Sequence, residues 1–285
     1  MAVDEDSWSL VRAFTYKATG VVLEAQRDYL LTARVEPLAR SHGLSLRDFV
    51  RAATAPAAPP KLVTALVDAM TTHETSFFRD PTFWGVLEKT LLPAVMGRGA
   101  RPLRIWSAAC STGQEAYSMA MLLNEKWPSV LGTSYMLATD IAEPTLVKAR
   151  AGAYCVTEIN RGLGAARLLI NFEQKADEFR VKSHIRSRVT WMQQNLLGPA
   201  PYPSGFDLVL CRNVLIYFDE ADRQGVLDRL IRSVAPGGYL GLGSTELMKK
   251  SGVGGGWYAV DARGAAATCV KCKGTPTPCR SHDQP

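Results

Sequence analysis

A run of small residues, from Ser107 to Gly113, leads from an apolar stretch into a helical pattern whose first turn carries Glu115. Small side chains let a ligand approach the backbone, and the free N–H groups of a helix start attract anionic groups. No Gly-Lys-Ser/Thr follows, as a phosphate-binding P-loop requires, and the dinucleotide pattern G-x-G-x-x-G is incomplete. Glu115 is suited either to capping its helix or to holding the ammonium group of a ligand.

Asp140 ends the next apolar stretch, 27 residues after Gly113. A carboxylate at the end of a second strand suits a ribose diol, which donates two hydrogen bonds to it. The simpler alternative is a cap for the helix that starts near Glu143. Together with Glu115 and the missing phosphate pattern, Asp140 favours a ligand with a ribose and a cationic amino-acid end. S-adenosylmethionine is such a ligand.

Two kinds of elements must position these residues. Apolar residues recur at helical spacing over residues 8–52, and the run TAPAAPPK at 54–61 predicts a connector because proline blocks helix continuation. From residue 103 onwards, short apolar runs alternate with helical patterns, which predicts right-handed βαβ units. The expected fold class is α/β: a Rossmann-like parallel sheet with an all-helical N-terminal domain.

The stretch from Phe179 to Trp191 has a different pattern, with apolar residues at odd-numbered positions and mostly basic residues at even-numbered ones. Period two predicts extended chain with one buried and one basic face. Ser183 and Ser187 indicate a turn between two short strands. We therefore expect a small antiparallel β insert at about residues 170–192.

Composition excludes several classes of protein. Hydrophobic residues make up 47% of the 285 residues and charged residues 21%, as in globular proteins. The sequence lacks an apolar run long enough for a membrane span, and its acidic start does not resemble a signal peptide. Six cysteines are too few for a disulfide scaffold, which favours a reducing compartment. These features predict a cytoplasmic protein without direct membrane insertion.

The net charge of +6 is concentrated near the C-terminus, where residues 249–285 carry six basic and two acidic side chains. A nucleic-acid-binding domain usually has a broader basic face, so no nucleic-acid partner is expected. We expect three regions: residues 1–75 with the helices and linker, 76–260 with the α/β domain, and a disordered basic tail at 261–285. Cys269, Cys272 and Cys279 of the tail could supply three zinc ligands, but His282, the candidate fourth ligand, follows too closely for the usual spacing, and no metal is expected.

Six ordered strings resemble the CheR-type chemotaxis receptor methyltransferase family, which methylates receptor glutamates with S-adenosylmethionine. They are THETSFFRD (72–80), RIWSAACSTGQEAYSMAM (104–121), ATDI (138–141), NLL (195–197), FDLVLCRNVLIYFD (206–219) and GGYLGLGSTE (237–246). The resemblance implies a protein-glutamate O-methyltransferase of the same architecture, with S-adenosylhomocysteine as product. Its implied partners are the cytoplasmic helical domains of chemoreceptors, and we expect a monomer.

The resemblance also implies the site residues. The cofactor-binding positions fall at His73, Thr75, Arg79, Glu115, Asp140, Asn195, Leu196, Arg212 and Asn213. His73 stands where asparagine is frequent in the family. Arg79 and Tyr217 are implied to orient the target carboxylate, although Arg79 beside Asp80 also fits an ordinary surface ion pair. A glutamate is ionised near neutral pH, so methyl transfer requires positioning and desolvation rather than a general base.

Substrate recognition is the least determined feature. Family members with a longer, glycine-containing loop in the β insert bind a peptide at the receptor C-terminus, whereas only EQKADEF joins Phe172 to Arg180 here. We therefore expect independence from such a tether. Opposite charge would then attract acidic receptor helices, or these cations are simply solvated. The candidate residues are Arg180, Lys182, Arg186 and Arg188 of the insert, with Arg47 and Arg51 of the N-terminal domain.

Two other functions remain open from the sequence. A small-molecule or RNA methyltransferase would use the same cofactor, although neither requires a helical domain joined to the THETSFFRD string. A catalytically silent adaptor that binds S-adenosylmethionine is the alternative outside enzymes, and Arg79 and Tyr217 argue against it.

Overall fold

The computed structural model describes residues 5–98, 101–199, 205–244, 246 and 269–271. Its N-terminal region is helical and forms a core of its own, with Val11, Phe49 and Leu66 fully buried. Ser45 caps the third helix by accepting a hydrogen bond from the Asp48 amide. The helices are α1 (Glu5–Thr19), a 3-10 turn (Ala25–Arg27), a π-helical turn (Leu31–Val35), α2 (Glu36–Ser41), α3 (Leu46–Thr54) and α4 (Pro60–Met70).

A six-stranded sheet follows, in the order β6-β2-β1-β7-β8-β9. The first five strands in this order run parallel, and β9 joins the edge antiparallel to β8. The strands are β1 (Arg104–Ala108), β2 (Tyr135–Asp140), β6 (Val189–Gln193), β7 (Phe206–Cys211), β8 (Val234–Leu242) and β9 (Cys269–Lys271). This is the α/β, Rossmann-like fold that the alternation of apolar runs predicts.

Side chains on the two faces of the sheet enter two separate cores. Ile105 and Leu210 pack on one face, whereas Trp106 and Val209 pack on the other, as the period of two along each strand requires. The covering helices are α5 (Pro81–Val86), which continues through a π-helical turn (Leu87–Leu91) into α6 (Leu92–Met96), then α7 (Gln114–Lys126), α8 (Pro128–Thr133), α9 (Glu143–Ala151), α10 (Val156–Ile159), α11 (Ala165–Asn171), α12 (Ser183–Arg186) and α13 (Glu220–Ser233).

A second, three-stranded antiparallel sheet is present, in the order β3-β5-β4. It consists of β3 (Ala153–Cys155), β4 (Phe172–Lys175) and β5 (Glu178–Val181), and only Ala176 and Asp177 join the last two strands. The predicted extent of the insert, 170–192, is wrong at its C-terminal end. The segment 183–186 is the helix α12 rather than a turn, and β6 belongs to the main sheet because Val189 and its neighbours pair with β2.

The C-terminal region also differs from expectation at one place. Cys269–Lys271 form the edge strand β9, paired with Tyr239, Leu240 and Gly241 of β8, whereas the composition predicts a tail without regular structure. Cys272 and Cys279 lie outside the described residues. Among the described helices, none combines the length and the apolar composition needed to cross a membrane.

Candidate cofactor site

A cleft lies at the carboxyl ends of β1, β2, β6 and β7. Parallel α/β sheets place ligands at this edge because the loops after neighbouring strands converge there. All nine positions expected to bind cofactor line the cleft, and so does Tyr217: His73, Thr75, Arg79, Glu115, Asp140, Asn195, Leu196, Arg212 and Asn213.

The loop after β1 is tightly wound. Ala109 and Ser111 have φ angles of 56° and 52°, and Gly113 has φ of 94°. A Cβ atom at Gly113 would lie 2.8 Å from the Trp191 ring, so this position requires glycine for space as well as for backbone angle. The small residues therefore let the loop fold closely against the sheet at the floor of the cleft.

Asp140 fastens this loop to the end of β2. Its carboxylate accepts the backbone N–H of Ser111 at 2.8 Å and that of Ala142 at 3.0 Å, one on each oxygen. Burial raises the pKa of Asp140, and these backbone hydrogen bonds oppose the shift. Each oxygen keeps a lone pair, so the carboxylate can bind a diol and also hold the loop.

Glu115 lies across the cleft floor on α7. It accepts a hydrogen bond from the Ser107 hydroxyl at 2.7 Å and an ion-paired one from Arg212 Nη1 at 3.3 Å. Burial raises the pKa of Glu115, whereas the Arg212 charge lowers it. Glu115 therefore faces a site in which an additional cation would stabilise its ionised form.

Arg212 connects Glu115 to the linker between the two domains. Its side chain is only 2% exposed, and it forms an ion pair with Asp80, donates to the Arg79 carbonyl at 3.1 Å and stacks over Phe83 at 4.2 Å. A buried guanidinium requires such partners because its unpaired charge is costly. Within the described chain, its Nε is buried without a hydrogen-bond partner and remains a donor for a ligand.

Arg79 itself occupies a constrained turn. Phe78 and Asp80, on either side of it, have φ angles of 47° and 61°, in the left-handed region that residues other than glycine rarely adopt. The Arg79 carbonyl accepts from Trp84 Nε1, and its guanidinium donates to the Glu74 carbonyl at 3.2 Å. The guanidinium is thus held within the cleft wall rather than paired with Asp80, whose carboxylate binds Arg212.

His73 is tied into a polar cluster at the end of α4. Its Nε2 lies 3.2 Å from the Asp68 carboxylate, and its Nδ1 lies 3.3 Å from the Thr145 hydroxyl on α9. Burial lowers the pKa of His73, but the hydrogen bonds and charge of Asp68 outweigh it, so the pKa is raised. The hydrogen bond from His73 lowers the pKa of Asp68. The His73 carbonyl also accepts from Ser111.

The helical region supplies part of the cleft wall, which the sequence did not reveal. Thr19 and Val21 line the cleft, and Val21 forms an antiparallel bridge with Phe218. Asn195 Nδ2 donates to the Ala18 carbonyl at 2.8 Å. These contacts join segments almost 200 residues apart, and no local pattern in the sequence signals them.

Two more polar residues, one beside the cleft and one in its lining, have no signal in the sequence. Glu246 accepts hydrogen bonds from backbone N–H groups of the loop after β7. Gln194 lines the cleft beside Asn195, and its amide nitrogen donates to the Pro199 carbonyl at 2.9 Å. Its Oε1 is buried and unpartnered in the part of the chain that the structure describes, so it offers an acceptor to a ligand.

The candidate substrate-binding cations lie outside the cleft lining. Three of the insert cations are engaged with backbone carbonyls: Lys182 with Leu169 and Ile170 at the end of α11, Arg186 with Val181, and Arg188 with Gly132 of α8. Arg180 lies on β5 opposite Glu173. Arg47 and Arg51 are exposed on α3. The period of two does not mark one uninterrupted strand face, because α12 separates Arg180 from Arg188.

The donor and acceptor set of the cleft fits S-adenosylmethionine. Asp140 offers oxygens for a ribose diol, and Glu115 offers a carboxylate for an ammonium group. Arg212 and Gln194 line the cleft, and Arg212 Nε and Gln194 Oε1 are buried without a hydrogen-bond partner among the described residues. They are a donor suited to a carboxylate and an acceptor suited to an exocyclic amine.

Comparison with known proteins supports the same assignment. The family model "CheR methyltransferase, SAM binding domain" matches residues 73–253. Chemotaxis protein methyltransferase 1 of Pseudomonas aeruginosa is 39% identical over 256 residues, covering 87% of this chain and 92% of the relative. Chemotaxis protein methyltransferase 1 of Vibrio cholerae is 40% identical over 242 residues, covering 82% and 86%. The chain therefore belongs to the CheR methyltransferase family.

Proposed function

We propose that this protein transfers a methyl group from S-adenosylmethionine to glutamate carboxylates of bacterial chemoreceptors. The observation that carries the proposal is the convergence of Glu115, Asp140, Arg79 and Tyr217 on one cleft in a chain of this family. Relatives that match more than four fifths of the chain are named chemotaxis protein methyltransferases, which supports receptor proteins as the substrate class.

In this proposal the chain binds and orients two reactants. Asp140 holds the ribose, Glu115 the ammonium group and Arg212 the carboxylate of the cofactor, whose sulfonium supplies an electrophilic methyl group. The substrate carboxylate is already ionised near neutral pH, so no side chain has to remove a proton. Its oxygen forms a bond to the methyl carbon as the carbon–sulfur bond breaks, and the electron pair stays on sulfur.

Arg79 and Tyr217 orient the attacking carboxylate. A guanidinium fits carboxylate geometry with two parallel hydrogen bonds, and a phenol donates a single one. Both groups reduce the freedom of the carboxylate, and the surrounding cleft wall strips water from it. Holding reactants in line is worth orders of magnitude in rate, so positioning, together with desolvation of the carboxylate, is the catalysis proposed here.

Methyl transfer to purified chemoreceptor fragments with labelled S-adenosylmethionine tests the function. We expect incorporation into glutamates that is lost in Arg79→Ala, with a rate decrease well beyond any loss of cofactor affinity measured by calorimetry. Arg161 is an exposed arginine that forms an ion pair with Glu74, close to Arg79 in the sequence. Arg161→Ala therefore serves as the matched control. If rate and affinity fall together in Arg79→Ala, the residue is only a cofactor ligand.

The same assay separates the alternative functions. Labelling of a small molecule or an RNA in place of the receptor would replace the proposed substrate class, and cofactor binding without any transfer would indicate an adaptor. The helical region argues for a protein substrate because Thr19 and Val21 complete the cleft wall, which extends the site beyond the methyltransferase sheet.

We further propose that substrate recognition does not depend on a peptide tether at the receptor C-terminus. The hairpin between β4 and β5 has only Ala176 and Asp177 at its tip, which supports this view. The cations of the insert and of α3 would instead attract acidic receptor helices and speed encounter. Arg47 and Arg51 are exposed on α3, and Arg180 lies on β5. The other three cations, Lys182, Arg186 and Arg188, also donate hydrogen bonds to backbone carbonyls.

Deleting the last residues of a receptor tests this part. We expect unchanged methylation of the shortened receptor, and loss of methylation would overturn the tether-free proposal. In the enzyme, Arg180→Glu with Lys182→Glu should reduce the rate markedly at low salt and less at high salt, because screening already weakens the wild type there. An unchanged rate at low ionic strength would reject the electrostatic contribution.

A further inference from the structure

Glu246 lies at the carboxyl edge of the sheet, beyond the end of β8, and is 8% exposed. It does not line the cleft. Its two carboxylate oxygens accept four backbone hydrogen bonds, each 2.7 Å long. The donors are the N–H groups of Asn213, Val214, Leu215 and Gly243.

Three of these donors are consecutive and belong to the loop that carries Arg212 and Tyr217. Asn213 has a φ of 61°, which turns the chain so that three successive N–H groups point to one side. Such a concave run of amides is an anion-binding feature, and here an internal carboxylate fills it. Without that carboxylate, the three N–H groups would lack these acceptors at a partly buried place.

Gly243 completes the arrangement from β8. A Cβ atom there would lie 2.7 Å from a Glu246 oxygen and 2.9 Å from the Asn213 side-chain nitrogen. The carboxylate therefore fits closely between the loop after β7 and the chain after β8, and it connects the two. Charge-assisted hydrogen bonds of this kind are about twice as strong as neutral ones.

We propose that Glu246 is a positioning residue that fixes the loop 212–217, and thereby sets the placement of Tyr217 and Arg212 in the cleft. It acts through the backbone and contacts neither reactant. The inference rests on the proposed function only for its catalytic consequence, since the effect on the loop is independent of the reaction.

Hydrogen exchange tests the effect on the loop without any assay of activity. Glu246→Gln keeps the size of the side chain but replaces one acceptor oxygen with a donor group, and because each oxygen accepts two of the four hydrogen bonds, two N–H groups lose their partner. We expect the amides of residues 213–215 to exchange at least about tenfold faster in this variant. Asp207→Asn is the matched control, because it alters a buried carboxylate that accepts a backbone N–H at the opposite end of β7.

Kinetics then test the consequence for the reaction. We expect Glu246→Gln to lower kcat at least about tenfold at saturating receptor, and to lower it more than Asp207→Asn at equal loss of thermal stability. Tyr217→Phe should cost less in the Glu246→Gln background than in the wild type, because the phenol is already misplaced. Glu246→Asp retains the charge and both oxygens and should recover part of the activity.

Three results would overturn the proposal: unchanged exchange at 213–215 in a folded variant, additive effects with Tyr217→Phe, or an equal loss of kcat in Asp207→Asn. If the wild type does not methylate receptors at all, the proposed function fails, and the exchange experiment still decides whether Glu246 fixes the loop. Global unfolding of Glu246→Gln would move the exchange test to Glu246→Asp, for which we expect faster exchange confined to the amides of residues 213–215 and Gly243.

Discussion

The two ends of β7 carry ion pairs in contrasting surroundings. At the amino end, Asp207 accepts the Arg104 amide and pairs with Arg101, whose side chain is 52% exposed. At the carboxyl end, Arg212 is 2% exposed and pairs with both Asp80 and Glu115. Both ends pair their charges, but only Arg212, at the carboxyl end, lines the cleft described above.

The contrast follows from the direction of the strands. The loops after β1, β2, β6 and β7 all end at one edge, so their polar residues face one another and exclude water. The amino ends receive chains returning from helices, and their ion pairs remain near solvent. A charge pair at the amino end therefore contributes to stability, whereas the same chemistry at the carboxyl end also builds a binding site.

Removing the arginine at each end should give the largest difference. Arg212→Leu leaves two carboxylates without their buried cation, which we expect to cost about 3–5 kcal/mol of unfolding free energy. Arg101→Leu removes a half-exposed partner and should cost about 1 kcal/mol or less. Urea unfolding of both variants measures the difference, and equal losses would show that the two ends do not differ in this respect.

Removing one carboxylate at each edge of the sheet, Asp140 at the end of β2 and Asp207 at the start of β7, extends the comparison to function. Asp140→Ala loses one or two charged hydrogen bonds to the ribose, so affinity for S-adenosylmethionine should fall by roughly 2–4 kcal/mol. Asp207→Ala should leave the affinity unchanged. Calorimetry on folded variants provides the measurement, and full affinity in Asp140→Ala would remove this residue from the cofactor site.

The pH dependence of stability should show the smallest effect. Because the pKa of His73 is raised from its ordinary 6.5, its pairing with Asp68 stabilises the fold below pH 6.5. That contribution disappears as the pH rises through the raised pKa. The lowered pKa of Asp68 makes its own contribution disappear only as the pH falls below its ordinary 3.8.

His73→Asn therefore should be less stable than the wild type at pH 6 and nearly equal to it at pH 9. The pair is partly exposed, so we expect a difference of about 1 kcal/mol or less at pH 6. Thermal unfolding at the two pH values measures it. A constant difference across this range would show that the His73 charge does not contribute.

The sequence predicted the carboxyl edge of the sheet better than any other part of the molecule. Asp140 and Glu115 lie where an apolar strand pattern gives way to a helical pattern, and parallel topology alone brings such positions together. The linker residues His73 and Arg79 came only from the family resemblance, because their own neighbourhood resembles an ordinary helix end and surface ion pair. Their placement in the cleft depends on the turn around Phe78 and Asp80, which no propensity predicts.

Two features were out of reach for different reasons. The period of two between Phe179 and Trp191 continues through β5, α12 and β6, because a short helix between two strands can preserve parity by chance. The pattern therefore indicated one small sheet where the chain passes between two. Glu246 binds backbone N–H groups, which every residue except proline has, so no residue type in the sequence marks the partner. The partner loop also lies about 30 residues earlier in the chain.

The bridge between Val21 and Phe218 makes the helical region and the sheet share one cavity wall. A ligand that fills the cavity binds only the docked arrangement, so by mass action it favours docking of the two bodies. Gly20, with φ of 75°, sits where an added Cβ atom would lie 2.9 Å from both Leu197 and Phe218. Substituting this single residue would crowd Leu197 and Phe218 where the two bodies meet and favour their separation, which would speed ligand escape and offers a handle on residence time separate from chemistry.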